Sequence, residues 1–172
     1  LSLFNISAIF FGNATGDKVI QLNGAKIASV DSQFLTIQLT ELQRVTAIAL
    51  SGTNGGDGKS LTLDLDASAF VDLSSNVNVP LIGHPIIETS DLIKPQILSV
   101  TFNYSDGIVV LNTSETIDVT PGSKVDLQYV AVTNENDTSS TPISLSGASV
   151  VEVDALAITL HTSEHDRANA YY

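Results

Sequence analysis

His161 and His165 stand four residues apart, a spacing that on a helix turns two imidazoles toward one metal ion. His161, however, falls at the end of a predicted strand, and no H-E-x-x-H pattern surrounds the pair. His84 is the only other histidine. Asp166 beside His165 and the many serines make no hydrolase constellation, because no G-x-S-x-G nucleophile elbow is present. Gly58-Lys59-Ser60 ends like a phosphate loop, but Thr53 occupies the place of that motif's first glycine. No acid/base pair with workable spacing emerges, so the expectation is a protein that is not an enzyme. Among cofactors only calcium stays in view: Asp57, Asp64, Asp66 and Asp72 lie near Gly-rich turns, and Ca²⁺ takes several hard oxygen ligands. Asp64 and Asp66 alternate with leucines, which instead predicts a solvent-facing acidic strand and no metal.

The other reactive signal is Asn-x-Ser/Thr. Five such sequons begin at Asn5, Asn13, Asn103, Asn112 and Asn136. Asn13 and Asn136 are 123 positions apart. N-linked glycans require a secretory route, so these sites predict an extracellular or cell-surface protein.

The totals narrow the partners. Lys+Arg 7 against Asp+Glu 19 gives a formal charge of −12, which leaves no basic footprint for nucleic acid or for an anionic membrane surface. No apolar run approaches the ~18–20 residues of a membrane span. Cysteine is absent, which removes disulfides, thiol nucleophiles and Cys-ligated metals. Methionine is absent even at position 1, and the expectation is a chain that begins after processing or belongs to something longer.

The elements that must position these residues read as strands. Residues 34–39 alternate apolar and polar imperfectly and 61–66 strictly, and 97–102, 108–111, 125–132, 150–153 and 157–160 read the same way. Strands every ~8–12 residues with turns between them predict an antiparallel sandwich or barrel. Gly52 to Gly58 is the strongest turn signal, and Tyr104-Ser105-Asp106-Gly107 reads as a hairpin turn. One short helical turn is expected at Thr40–Arg44 and one at Ser163–Arg167, each with Thr or Ser as cap and a Glu/Arg pair at i, i+3.

These last two segments belong to a repeat. Residues 22–47 return as 145–170, without a gap, with nine of 26 positions identical. Leu22/Leu145, Gly24/Gly147, Glu41/Glu164 and Arg44/Arg167 are among them. The polar stretch before Pro95 reads as an extended linker at 90–96, separating modules at 1–89 and 97–172.

The opening of the second module, Pro95-Gln96-Ile97-Leu98-Ser99-Val100 and then Gly107 to Asp118, resembles the start of bacterial-type immunoglobulin-like (SwmB-like) repeats. Asn112 departs from that pattern, which usually carries an apolar or aromatic residue there. The resemblance implies an all-β fold of two Ig-like antiparallel β-sandwich modules, of the kind found in tandem in large surface proteins, adhesins and extracellular filaments. It carries no catalytic residues. By the repeat, the first module lacks its first strands and the second its last, and open edges of that kind are either avoided or used for association.

The expectation is therefore a glycosylated structural subunit of an extracellular fibril or surface appendage, self-associating head-to-tail by completing sandwiches between neighbours. Leu1–Phe11 and Ala157–Tyr172 are the candidate contact segments, with Leu1, Leu3, Phe4, Phe10, Phe11, Tyr171 and Tyr172 as apolar anchors. The alternative is an adhesin or carbohydrate-binding module that uses the loop at 52–60.

Overall fold

The computed structural model describes residues 4–28, 34–133 and 141–171, without the side chain of Tyr171. The chain forms two compact units, Leu1–Leu92 and Ile93–Tyr172. Both consist mainly of short antiparallel strands, with one α-helix apiece among the described residues.

In unit 1 a single 3₁₀ turn (Ile6–Ala8) leads into β1 (Ile9–Gly12), β2 (Ile20–Gln21), β3 (Lys26–Ile27) and β4 (Ile37–Gln38). Helix α1 (Glu41–Ala49), β5 (Thr62–Leu65) and β6 (Leu81–Pro85) follow. One sheet runs β2-β1-β5-β6, and β3 and β4 form a separate pair. Ile9, Ile20, Leu22 and Leu61 are buried, and Ile37, Leu39, Leu63 and Leu65 pack against them, so the sheet and the β3–β4 pair share one core. Leu22 is fully buried, which contributes about 1.5–3 kcal/mol through apolar burial.

Unit 2 starts with β7 (Ile97–Asn103) and β8 (Ile108–Ile117), a hairpin turned through Gly107 at φ 72°. Two 3₁₀ turns (Gly122–Lys124 and Leu127–Tyr129) precede β9 (Ala131–Val132) and β10 (Ile143–Ser144). β11 (Ser149–Val150), β12 (Ala155–His161) and α2 (Glu164–Tyr171) close the unit. Its sheet runs β11-β12-β8-β7, with β9 and β10 as the separate pair, around Val109, Leu145 and Leu160.

Several expectations change. The helices are nine and eight residues long, not single turns, because capping at Thr40 is followed by Leu42, Val45, Ala47 and Ala49 with no breaker. Residues 125–132, read as one strand, divide into a 3₁₀ turn at Leu127–Tyr129 and a two-residue strand at Ala131–Val132, since Asp126 accepts the Gln128 N–H and closes the backbone on itself. Asp64 is not solvent-facing: it is buried at 2% exposure. It lies opposite Phe10 in the β1–β5 ladder and accepts the N–H of Gly83, which a φ of 66° aims at it across a bulge between β5 and β6.

Candidate functional site

The repeat seen in sequence is a repeat of structure. β2 and β10, β3 and β11, and the starts of α1 and α2 each lie 123 positions apart. Leu22 and Leu145 open the same turn, with the Ala25 N–H donating to Leu22 O at 3.0 Å and the Ala148 N–H to Leu145 O at 2.9 Å. The match also reaches further back. The 3₁₀ turns at Ile6–Ala8 and Leu127–Tyr129 are 121 positions apart, as are Ile9 and Val130, whose carbonyls accept from Leu22 and Leu145. The stretch from Val130 to Leu145 is therefore two residues longer than the stretch from Ile9 to Leu22. Counted from that side, Asn13 matches Asn134, which begins no sequon.

What flanks the repeated half-module differs. In unit 1 its β1 pairs with β5 of the following β5–β6 pair. In unit 2 its β12 pairs with β8 of the preceding β7–β8 hairpin. Among the described residues, unit 1 has no strand where β8 would lie beside β4, and unit 2 has none where β5 would lie beside β9. Each unit contains the strand pair that the other lacks.

The two helix starts record this exchange. Thr40 Oγ1 accepts the Gln43 N–H, and Gln43 Oε1 accepts the Thr40 N–H, a reciprocal cap. Ser163 Oγ accepts the Asp166 N–H at 3.1 Å in the same way. Arg44 pairs with Glu41 and Arg167 with Glu164, both at i, i+3. Their second partners diverge. The Arg167 guanidinium donates to the carbonyls of Tyr104 and Ser105, both at 2.9 Å, gripping the β7–β8 turn. Arg44 donates to the Asp91 carboxylate at 2.6 Å. A side-chain carboxylate thus stands in unit 1 where a hairpin turn stands in unit 2.

The strand edges are unequal. β7 ends its sheet, with Ile97, Leu98 and Val100 each more than half exposed. β6 ends the other sheet, but Pro85 within it has no backbone donor, Pro80 precedes it, and Gly83 spends its N–H on Asp64. Residues 34–39 alternate exposed and half-buried, directing Leu35, Ile37 and Leu39 inward.

The residues singled out by sequence fall in different places. Of the sequon asparagines, Asn5, Asn103 and Asn112 are exposed and Asn13 is half-buried, while Asn136 lies outside the described residues. Asn13 Nδ2 donates to Asp57, Asn103 Nδ2 to Asp106 and Asn112 Nδ2 to Ser99. Phe4 bridges to Phe70, Phe10 lies under the Lys18 ammonium at 4.5 Å, and Phe11 packs on the core of unit 1. Leu1, Leu3 and Tyr172 lie outside the described residues, as does the Tyr171 side chain.

The four aspartates named for calcium are each engaged locally. Asp57 accepts from Asn13 and from the Lys59 N–H, and Asp66 pairs with Lys18. Asp72 accepts from the Asn76 side-chain amide and then from the Asn76 and Ser74 N–H groups, which hold its carboxyl below the usual range. Among the described residues no three His, Asp or Glu side chains gather as a metal site would require. Nor is any described helix long and apolar enough to cross a membrane. Sequence reading did not find the open groove of about 480 Å³ in unit 2, lined by Ser123, Asp126, Gln128, Ser146, Ser149 and Glu152. Comparison with protein-family models, curated proteins and solved structures finds no match to this chain.

Proposed function

We propose that this chain is a structural subunit of a glycosylated extracellular fibril or surface appendage, built of Ig-like sandwich units that neighbours complete head-to-tail. The observation that carries this reading is the exchange of strand pairs: one repeated half-module, flanked by β5–β6 in unit 1 and by β7–β8 in unit 2. A half-sandwich exposes backbone donors and acceptors together with apolar side chains, and a second half-sandwich supplies both deficits. A contact between unlike surfaces repeats without closing and gives a filament. The accessible sequon asparagines fit a protein displayed outside a cell. Electron microscopy and sedimentation of the purified native protein test the reading. Filaments, or association that grows with concentration, are expected; a persistent 18.1 kDa monomer without glycans overturns it.

The polar groove beside β11 favours a second reading, an adhesin or carbohydrate-binding module, since hydroxyl, amide and carboxylate groups there match sugar hydroxyls. Saturable glycan binding by isolated monomer, lost in Gln128→Ala, would support it.

A further inference from the structure

We propose that the open edge of β4 in unit 1 is the acceptor for β7 of a second copy, in a defined antiparallel register. The inference rests on the assembly reading above and names the strands that meet.

The acceptor is defined by its repeat partner. The Ala28 N–H donates to Thr36 O at 2.8 Å, so Thr36 turns its backbone groups toward β3. Strand alternation then turns those of Leu35, Ile37 and Leu39 the other way, where no described strand lies. In unit 2 the corresponding residues are Ile158, Leu160 and Thr162. Ile158 pairs with Leu111, Leu160 with Val109, and the Thr162 N–H donates to Gly107 O at 2.9 Å. The edge of β4 therefore continues an interface that the molecule already builds once, between β12 and β8.

The donor is defined the same way. Thr101 is opposite Val110 and Asn103 opposite Ile108, and the Gly107 N–H donates to Asn103 O at 2.9 Å. Asn103 and Thr101 thus face β8, which leaves the backbone groups of Val100 and Phe102 directed outward, while Leu98 lies in the bulge between Ile97 and Ser99. Val100 and Phe102 also carry apolar side chains on the core face of the sheet, opposite Leu111 and Val109, and Phe102 packs against the core of unit 2. Leu98 at 66% and Val100 at 56% exposure remain uncovered.

Outward backbone and core-facing apolar side chains on both strands define one register, Leu35 opposite Phe102 and Ile37 opposite Val100, in which Leu39 reaches the bulge at Leu98. It pairs the backbones of both strands and extends both apolar faces. Neither 34–39 nor 97–103 contains a charged residue, so two copies of net charge −12 meet along their uncharged strands. The other outer edge, β6, is blunted by Pro85, whereas β7 carries no proline and its one irregularity is a bulge between Ile97 and Ser99.

In this register Thr36 lies opposite Thr101 as a non-hydrogen-bonded pair, whose Cα atoms approach to about 4.5 Å, within the reach of a disulfide. Both residues are exposed and the chain has no cysteine. The test uses full chains carrying Thr36→Cys or Thr101→Cys, each checked for wild-type circular dichroism, with oxidised glutathione as oxidant. Mixing the two variants is expected to give disulfide-linked dimers at least tenfold above either variant alone. A chain carrying both changes should give a ladder of covalent oligomers. Filaments without cross-linking overturn the register and leave the assembly reading standing. Covalent monomer from the double variant also overturns the proposal, because the edges would then meet within one chain. If wild type forms no oligomer at all, the assembly reading itself fails.

Discussion

Leu22 and Leu145 occupy the same corner of the same turn in two units, at 0% and 1% exposure, under differently completed sheets. In unit 1 the leucine is roofed from the side of β1 and β5; in unit 2 it lies with Val109 of β8 and Leu160 of β12. The half-module keeps its own centre whichever strand pair is attached. Leu22→Ala and Leu145→Ala should each cost about 2–5 kcal/mol. Hydrogen exchange followed unit by unit checks this: each change should raise exchange first in its own unit.

The cap of α1 is a second target. Thr40→Ala removes the acceptor for the Gln43 N–H and half of a reciprocal pair, at a cost of about 1 kcal/mol. Thermal melting followed at 222 nm reads it. Thr40→Ser should retain most of the wild-type value.

Gly107 sits at φ 72°, and a Cβ there would come within 2.8 Å of Thr162 Oγ1. Gly107→Ala combines backbone strain of roughly 1–2 kcal/mol with a displaced Thr162, whose hydroxyl and N–H both bond the Gly107 carbonyl. The amide signals of Thr162 and of the 104–107 turn should move most.

Asp72 gives a pH prediction. Its carboxyl is held below the ordinary carboxylate range, first by the Asn76 side chain and then by backbone N–H groups. The folded pKa lies below the unfolded one, so the order this group lends its turn is present above the unfolded value. It is lost as pH falls through the folded one. Carboxyl ¹³C titration should place Asp72 below a reference aspartate, and Asn76→Ala should move it back upward.

Glycan occupancy can be read directly. Glycopeptide mass spectrometry of the native protein should find modified Asn5, Asn103 and Asn112, which are exposed. Asn112→Gln also removes the hydrogen bond to Ser99 on β7, but leaves the β7–β8 ladder intact.

Much of the fold was legible because side-chain alternation is local. Leu61 to Asp66 announced β5, Ile97 to Phe102 announced β7, and Asp106-Gly107 announced the turn that joins β7 to β8. β1 and β6 were harder: Ile9-Phe10-Phe11 has no alternation, and β6 reaches its pairing through a bulge at Gly83 and ends at Pro85. The burial of Asp64 depends on that bulge, a tertiary feature with no local signal. The repeat was visible through nine identities, yet its earlier part was hidden, because a stretch two residues longer shifts the match from 123 to 121. The different second partners of Arg44 and Arg167 also depend on distant chain, Asp91 in one case and the β7–β8 turn in the other.

In the proposed pairing, the edge of β4 that accepts and the edge of β7 that donates are unlike surfaces. A polymer joined through β7 would be polar, with subunits entering by one rule and leaving by another. Growth from a sheared seed should then proceed at different speeds in the two directions. By that pairing a free peptide with the sequence of Ile97–Asn103 would seat on the β4 edge at one tip and present no β4 edge to the next subunit. It should act as a chain stopper, shortening fibrils at amounts far below one peptide per protein.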